Sequence, residues 1–445
     1  NAVRHIGIRD GRIAAVSQTP LRGKTMLNAQ GRIVAPGFID LHAHGQTNEA
    51  NEYQAHDGVT TALELEVGVP KVGEYLRFRT VKSILNFGAT AAHGAMRAMV
   101  MKDFTQPPAT AATSVETMSY VNQSRYKELR EAEEFTKLAA ELEKGLREGG
   151  LGIGMAHQYY PGASREEIFR VFQMAARWKM PIFAHVRSMS VDAMQEVIAN
   201  AAATGASLHI VHVNSMSLSS LPLVLDLIDS AHKRGLDITT EAYPYTAAST
   251  LIESTMFDEG WQQRLGISYA ELQWVKTGER LTKETFEKYR QETGQVIMHF
   301  MKPEWIDRAM ASPFVMVASD GMPFAPGAHP RSAGTFSRVL GLYVRERKAL
   351  SLMSAIAKMT IMPARRLESV APAMKNKGRI QVGADADITV FDAASVKDMA
   401  TFEKGLAFSA GIDHVLVNGI PVVRDGATVK GVFPGKPVTG SYGVR

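Results

Sequence analysis

"GFIDLHAHG", residues 37–45, runs an apolar, strand-like segment straight into three titratable side chains. Phe38 and Ile39 read as the buried run of a strand, and Asp40, His42 and His44 follow at its end. Successive strand side chains point to opposite faces, so His42 and His44 share one. Two imidazoles so placed can converge on one metal ion, at about 2.0–2.1 Å per Zn–N bond. A solvated histidine pair at a strand end is the ordinary alternative, and the rest of the chain has to decide between them.

Other apolar runs end the same way. "PIFAHVR" (181–187) brings His185 to a strand end, "LHIVHVN" (208–214) brings His212, and "VMVASDG" (315–321) brings Asp320. By strand parity His209 faces away from His212 and reads as a packed or helix-facing histidine. "TTALELEVG" (60–68) carries Glu64 and Glu66 on one face of an otherwise apolar strand. An unpaired carboxylate there costs several kcal/mol, roughly. Either each meets an Arg or Lys inside the fold, or one of them bridges metal ions. Glu66, nearer the strand end, is the expected bridge, and Glu64 the expected acceptor that orients a ligand histidine. The assignment between the two stays open at this point.

The 445 residues carry a net charge of +5 and no cysteine. Disulfides, thiolate ligands and a Cys nucleophile are therefore excluded. No basic run interleaved with aromatics appears, which argues against nucleic acid, and no apolar run approaches the roughly 18 residues of a membrane span. The first residue is Asn, so the natural N-terminus is expected upstream, and cytoplasm and periplasm both fit. Oligomeric state is not legible; a homo-oligomer is compatible with the sequence.

The middle of the chain alternates strand-like runs with helical periodicity, which implies parallel strands with crossover helices. Eight strand candidates fall at 33–42, 60–67, 84–93, 151–158, 181–187, 207–213, 236–246 and 314–321. Helices are expected over 126–150 and 165–180. Eight βα units make an α/β protein of (β/α)8 TIM-barrel type, whose chemistry sits at the C-terminal strand ends. Both chain ends read as short strands punctuated by Asp10-Gly11, Asn418-Gly419 and Asp425-Gly426 turns. The expected organisation is a small β-sandwich domain from both termini, 1–35 and 373–445, around a barrel over 36–372. An insertion at 251–313 is expected to cover the site.

Beyond single strand ends, "VAPGFIDLHAH", the two later histidines and "SDG" resemble the amidohydrolase superfamily. "EAYPYTAAST" (241–250), "ASDGMPF" (318–324) and "AHPRSAGTFSRVLGLYVRE" (328–346) are similar to its D-aminoacylase (N-acyl-D-amino-acid deacylase) branch. "KGRIQVGADADITVFD" (377–392) resembles the superfamily's C-terminal β segment. The resemblance implies a divalent metal, zinc first, as one or two ions, with His42 and His44 on the first and His185 and His212 on the second. It implies Asp320 as proton shuttle in a metal-dependent hydrolysis of N-acyl-D-amino acids or related small carboxylate-bearing amides. The chain departs from the family twice. Val67 stands where D-aminoacylases carry a bridging Cys, with Glu66 just before it as the simplest replacement. Asn214 stands where a Lys contacts the substrate's acid groups. Arg331 remains as a bidentate grip for an α-carboxylate, with Tyr245 and Ser249 as hydrogen-bonding companions. Tyr243 is as readily explained by packing. His157, His299 and His329 match no family position and read as structural. The competing readings are a cyclic amidase or dipeptidase of the same superfamily, and a non-catalytic barrel that assembles with partners.

Overall fold

A computed structural model describes residues 2–103, 121 and 123–442. Its largest sheet holds eight strands in chain order: Phe38–Asp40, Val59–Val69, Asn86–Ala92, Ile153–Ala156, Ile182–His185, Leu208–Ile210, Ile238–Ala242 and Val315–Val317. Every neighbouring pair runs parallel. Just past the strand ends, the Gly321 carbonyl accepts from the backbone N–H groups of His44 (2.8 Å) and Gly45 (3.1 Å). With the parallel bridge between Ala43 and Gly321, this joins the eighth strand's end to the first and closes a (β/α)8 barrel.

Each expected interval overlaps a strand, Val59–Val69 running past 60–67 at both ends, but the first overlaps two. Ile33–Pro36 pairs antiparallel with Ile388–Phe391 in a separate five-stranded sheet, and only Phe38–Asp40 enters the barrel. Gly37 makes the crossing, because a Cβ there would lie 2.2 Å from the Thr60 side chain. In the run 33–39 only the Pro36-Gly37 pair marks that change of sheet.

The five-stranded sheet continues through Ile412–Val417, Ile420–Arg424 and Ala427–Thr428. The N-terminal hairpin His5–Arg9 and Arg12–Ser17 adds Ile13 to a core shared with Ala384, Ala386, Ile388, Val390 and Leu416. Both chain ends thus build one small β unit. The three dipeptide turns have the mirror-image geometry that fits strand twist, with φ of 52° and 75° at Asp10-Gly11, 48° and 80° at Asn418-Gly419, and 51° and 73° at Asp425-Gly426.

The helix expected over 126–150 begins later, at Ala132, and ends at Arg147. A reciprocal capping box between Glu131 and Glu134 fixes that start. Arg165–Trp178 starts where Ser164 accepts from the Glu167 N–H. In the insertion, Ala247–Leu251, Leu272–Trp274 and Gln295–His299 form a three-stranded antiparallel sheet. It begins slightly earlier than 251, and its first strand faces the cavity described next. Among the described residues no helix is long and apolar enough to cross a membrane.

Candidate metal centre

The second barrel strand carries the central side chain. All of Val59–Val69 is buried, so a carboxylate on it must meet partners inside the barrel. Pairing with the third strand slips between Glu64 and Val69, which stand opposite Ala89 and Ala91. This bulge turns the chain at Gly68 (φ +73°) and leaves Glu66 at the strand's C-terminal end. Thr90 Oγ1 donates to the Leu65 carbonyl and pins the bulge (2.9 Å).

Two other site residues sit in left-handed backbone: His212 at φ 31° and Asp320 at φ 52°. Non-glycine residues occupy that region rarely, and it is a recurrent feature of functional sites. The turn at His212 also explains a failed expectation. The sixth strand stops at Ile210, so counting parity through to His212 does not hold. His209 does not face away from the interior; its Nε2 meets Glu241 Oε2 at 3.1 Å, and Glu241 in turn meets His42.

The expected ligands converge. His42 Nε2 lies 3.2 Å from His44 Nε2, and each lies 3.1 Å from Glu66 Oε2. Asp320 Oδ1 stands 3.4 Å from His42 Nε2 and 3.5 Å from His44 Nε2. Four ligands at about 2.0–2.1 Å around one tetrahedral ion are roughly 3.3–3.4 Å apart. Five edges of such a tetrahedron are therefore present. On the other side of Glu66, Oε1 lies 2.5 Å from His185 Nδ1 and 3.0 Å from His212 Nε2, and those two nitrogens are 3.1 Å apart. Glu66 thus joins a group of four donors to a group of three.

The surrounding groups fix which ring nitrogen faces inward. His42 Nδ1 is held by Glu241 Oε1 at 2.7 Å, and His44 Nδ1 by Glu64 at 2.9 Å. Both rings therefore present Nε2 to the centre, the arrangement in which an outer carboxylate fixes the tautomer of a ligating histidine. His185 is reversed: Gln158 Oε1 takes its Nε2 at 2.6 Å, leaving Nδ1 for the centre. The expected role of Glu64 matches this geometry. Glu241 and Gln158 were not foreseen, although Glu241 carries the same signal as Glu64, a carboxylate in a buried strand.

Charge balance points the same way. Glu64, Glu66, Glu241 and Asp320 are buried together, and among the described residues Arg331 is the one Arg or Lys that pairs with any of them. Burial alone would raise the Asp320 carboxyl, but Arg331 (Nη1 to Oδ2, 3.0 Å) and His42 outweigh it and hold it well below the usual range. Burial likewise opposes charge on Glu241, yet hydrogen bonds from His209 and His42 bring it down to about 2. Such a concentration of negative charge is stable when a cation shares the space. The donor set, its spacing and its charge all fit a divalent ion.

The amidohydrolase family's sequence profile matches residues 82–423. The chain belongs to the amidohydrolase family. An N-acyl-D-glutamate deacylase of Alcaligenes xylosoxydans xylosoxydans is 30% identical over 472 residues, covering 94% of this chain and 89% of its own length. A solved D-aminoacylase, studied for the functional role of its binuclear metal center, superposes with a TM-score of 0.82 at 25% identity, over 98% of this chain and 96% of its own. The N-acyl-D-glutamate deacylase from Bordetella bronchiseptica, complexed with zinc and a phosphonate inhibitor, has the same fold. Its TM-score is 0.81 at 24% identity, over 98% of this chain and 95% of its own.

In this amidohydrolase the centre opens into a cavity. His44, Glu66, His185, His212 and Asp320 line it, with Val67, Tyr159 and Tyr243, and Ser249 from the insertion. Other expected substrate contacts fall elsewhere. Asn214 is fully buried, and its Nδ2 donates to the Tyr243 carbonyl at 3.1 Å. The Tyr245 hydroxyl reaches back to Asp398 Oδ2 (3.4 Å). Arg331 is buried beneath Asp320, with Nη2 donating to the Ser249 carbonyl (3.2 Å) and its guanidinium 4.7 Å from the Tyr243 ring centre. Neither Asn214, Tyr245 nor Arg331 lines the cavity. His329 (Nε2 to the Ala247 carbonyl, 3.0 Å), His299 (Nε2 to Gln273 Oε1, 2.8 Å) and the fully buried His157 all stand outside the cavity lining.

Because Glu241 orients His42, Glu241→Gln is expected to weaken zinc binding by roughly 10- to 100-fold while the fold persists. Titration with zinc against a competing chelator measures this. An unchanged affinity would show that His42 needs no carboxylate behind it.

Proposed function

We propose that this protein is a metal-dependent amidase that hydrolyses N-acyl-D-amino acids. The observation that carries the reading is the pair of ligand groups joined by Glu66 at the C-terminal strand ends, with Asp320 beside them. The resemblance to an N-acyl-D-glutamate deacylase and a D-aminoacylase supplies the substrate class and its handedness. His42, His44, Glu66 and Asp320 would hold one divalent ion, zinc first, and Glu66, His185 and His212 a second. A cation so held lowers the pKa of bound water to about 7 and polarises a carbonyl.

The protein's own groups supply the proton traffic. Asp320, kept ionised by Arg331, accepts the proton of the attacking water. It then returns that proton to the nitrogen that leaves as the amine, a general acid–base cycle on one carboxylate. Glu64 and Glu241 keep the paired imidazoles in the tautomer that faces inward. The insertion's first strand walls the cavity and limits bulk water.

The test is a panel assay with zinc-reconstituted protein. N-acetyl-D-amino acids should release the free D-amino acid, with the L enantiomers turned over at least about 100-fold more slowly. Faster cleavage of hydantoins or dipeptides would move the chain to the cyclic amidase or dipeptidase reading. A protein that binds no metal and turns over nothing would favour the non-catalytic barrel.

A further inference from the structure

The cavity has to hold a carboxylate as well as present an amide to the centre, yet Arg331 is ion-paired with Asp320 and does not line the cavity. Among the described residues lining the cavity, Arg125 is the one Arg or Lys side chain. Among the described residues its guanidinium is matched by no anion. Nη1 donates to the main-chain carbonyl of Glu253 (3.4 Å) and Nη2 to that of Val121. Nε is buried with no hydrogen-bond partner among the described residues. Among the described residues no carboxylate stands within ion-pair distance of it. Glu253, which also lines the cavity, turns its carboxylate toward the Gly294 N–H at 3.0 Å. A guanidinium that keeps its charge and leaves a donor unused is a ready carboxylate receptor.

The rest of the wall differs in character. Met189, Met216, Met256, Met298 and Met322 line it, with Leu251 beside them. Methionine is apolar and adaptable in shape, so this part of the lining accepts varied uncharged groups, and beside it stand hydroxyls such as Ser254 and Tyr243 but no second Arg or Lys among the described residues. One available cation and a thioether wall describe a substrate with one carboxylate and an uncharged side chain.

We propose that Arg125 grips the substrate's carboxylate in this protein and that the methionine-lined wall takes an uncharged side chain, so that N-acyl-D-amino acids with apolar side chains, not acidic ones, are its substrates. The inference rests on the amidase reading above. It assigns the carboxylate to Arg125, on the helical turn Ser124–Tyr126, in place of Arg331, and the side chain to the wall built by Met256 and Met298 of the insertion with Met189, Met216 and Met322.

Full-length, zinc-loaded wild type, Arg125→Gln and Arg125→Lys are compared on N-acetyl-D-methionine, its carboxamide and N-acetyl-D-glutamate. Arg125→Gln should raise KM for the acid roughly 10- to 100-fold, the range of a lost charge-assisted pair, with kcat within about 3-fold. Carboxamide kinetics should not move, so the preference for acid over amide collapses in Arg125→Gln and is partly restored in Arg125→Lys. An unchanged KM for the acid, or equal losses on acid and carboxamide, would overturn the assignment. If Arg125→Gln does not fold, Arg125→Lys carries the same comparison, because a single ammonium cannot reproduce a bidentate grip. Wild type should favour the methionine substrate over the glutamate one by at least about 10-fold in kcat/KM; the reverse preference would overturn the side-chain assignment. A wild type inert on every N-acyl-D-amino acid would remove the amidase reading itself, whereas an active wild type with an indifferent Arg125→Gln would remove this inference alone.

Discussion

Replacing Glu66 by Gln is expected to cost activity on the order of 10³-fold, equivalent to about 4 kcal/mol of transition-state stabilisation. The two carboxylate oxygens serve different groups: Oε2 faces His42 and His44, and Oε1 faces His185 and His212. A glutamine keeps one oxygen and turns an N–H donor toward the other group, where a cation would repel it. The variant should therefore retain one metal position and lose its partner. Mass spectrometry under native conditions reads the change as a drop in bound zinc relative to wild type. Full zinc content with near-normal turnover would mean that the histidines alone hold the metal and that Glu66 is a bystander.

The second large effect is expected at Asp320. Asp320→Asn should lower kcat by roughly 10²- to 10⁴-fold, the range attributed to a positioned general acid–base group. Metal content should stay close to wild type, because the amide oxygen can still stand where Oδ1 stands, 3.4 Å from His42 Nε2. The two variants thus separate two jobs that lie within one cluster. Loss of zinc in Asp320→Asn would make this residue chiefly a ligand. Near-normal kcat would place proton transfer on another group.

Much of the site was legible because barrel geometry makes it so. A buried strand that ends in His or Asp must bring that group to the common rim, which is why His42, His44, His185, His212 and Asp320 could be named from separate motifs. Glu64 and Glu66 were legible for the complementary reason: a carboxylate inside an apolar strand needs a partner. The same rule applied to "TTEAYPY" would have found Glu241, which holds both His42 and His209.

What escaped the sequence has specific causes. Parity misplaced His209 because the backbone turns at His212 before the count is complete. Residues 33–42 read as one strand because hydrophobicity does not record a change of sheet, which only the Pro36-Gly37 pair marks. Arg331, Tyr245 and Asn214 were given substrate contacts, yet their side chains fold back onto Asp320, Asp398 and the Tyr243 carbonyl. Arg125 carries no motif and lies outside every barrel strand. Only the folded arrangement of its helical turn and the insertion brings it to the cavity wall.

The most direct measurement of the central claim is anomalous scattering at the zinc edge from crystals grown with the metal. The account predicts a peak bonded to Nε2 of His42 and His44 at about 2.0–2.1 Å, with Glu66 Oε2 in the same coordination shell. A cluster that stays empty in excess zinc, or a peak that Glu66 does not touch, would contradict it.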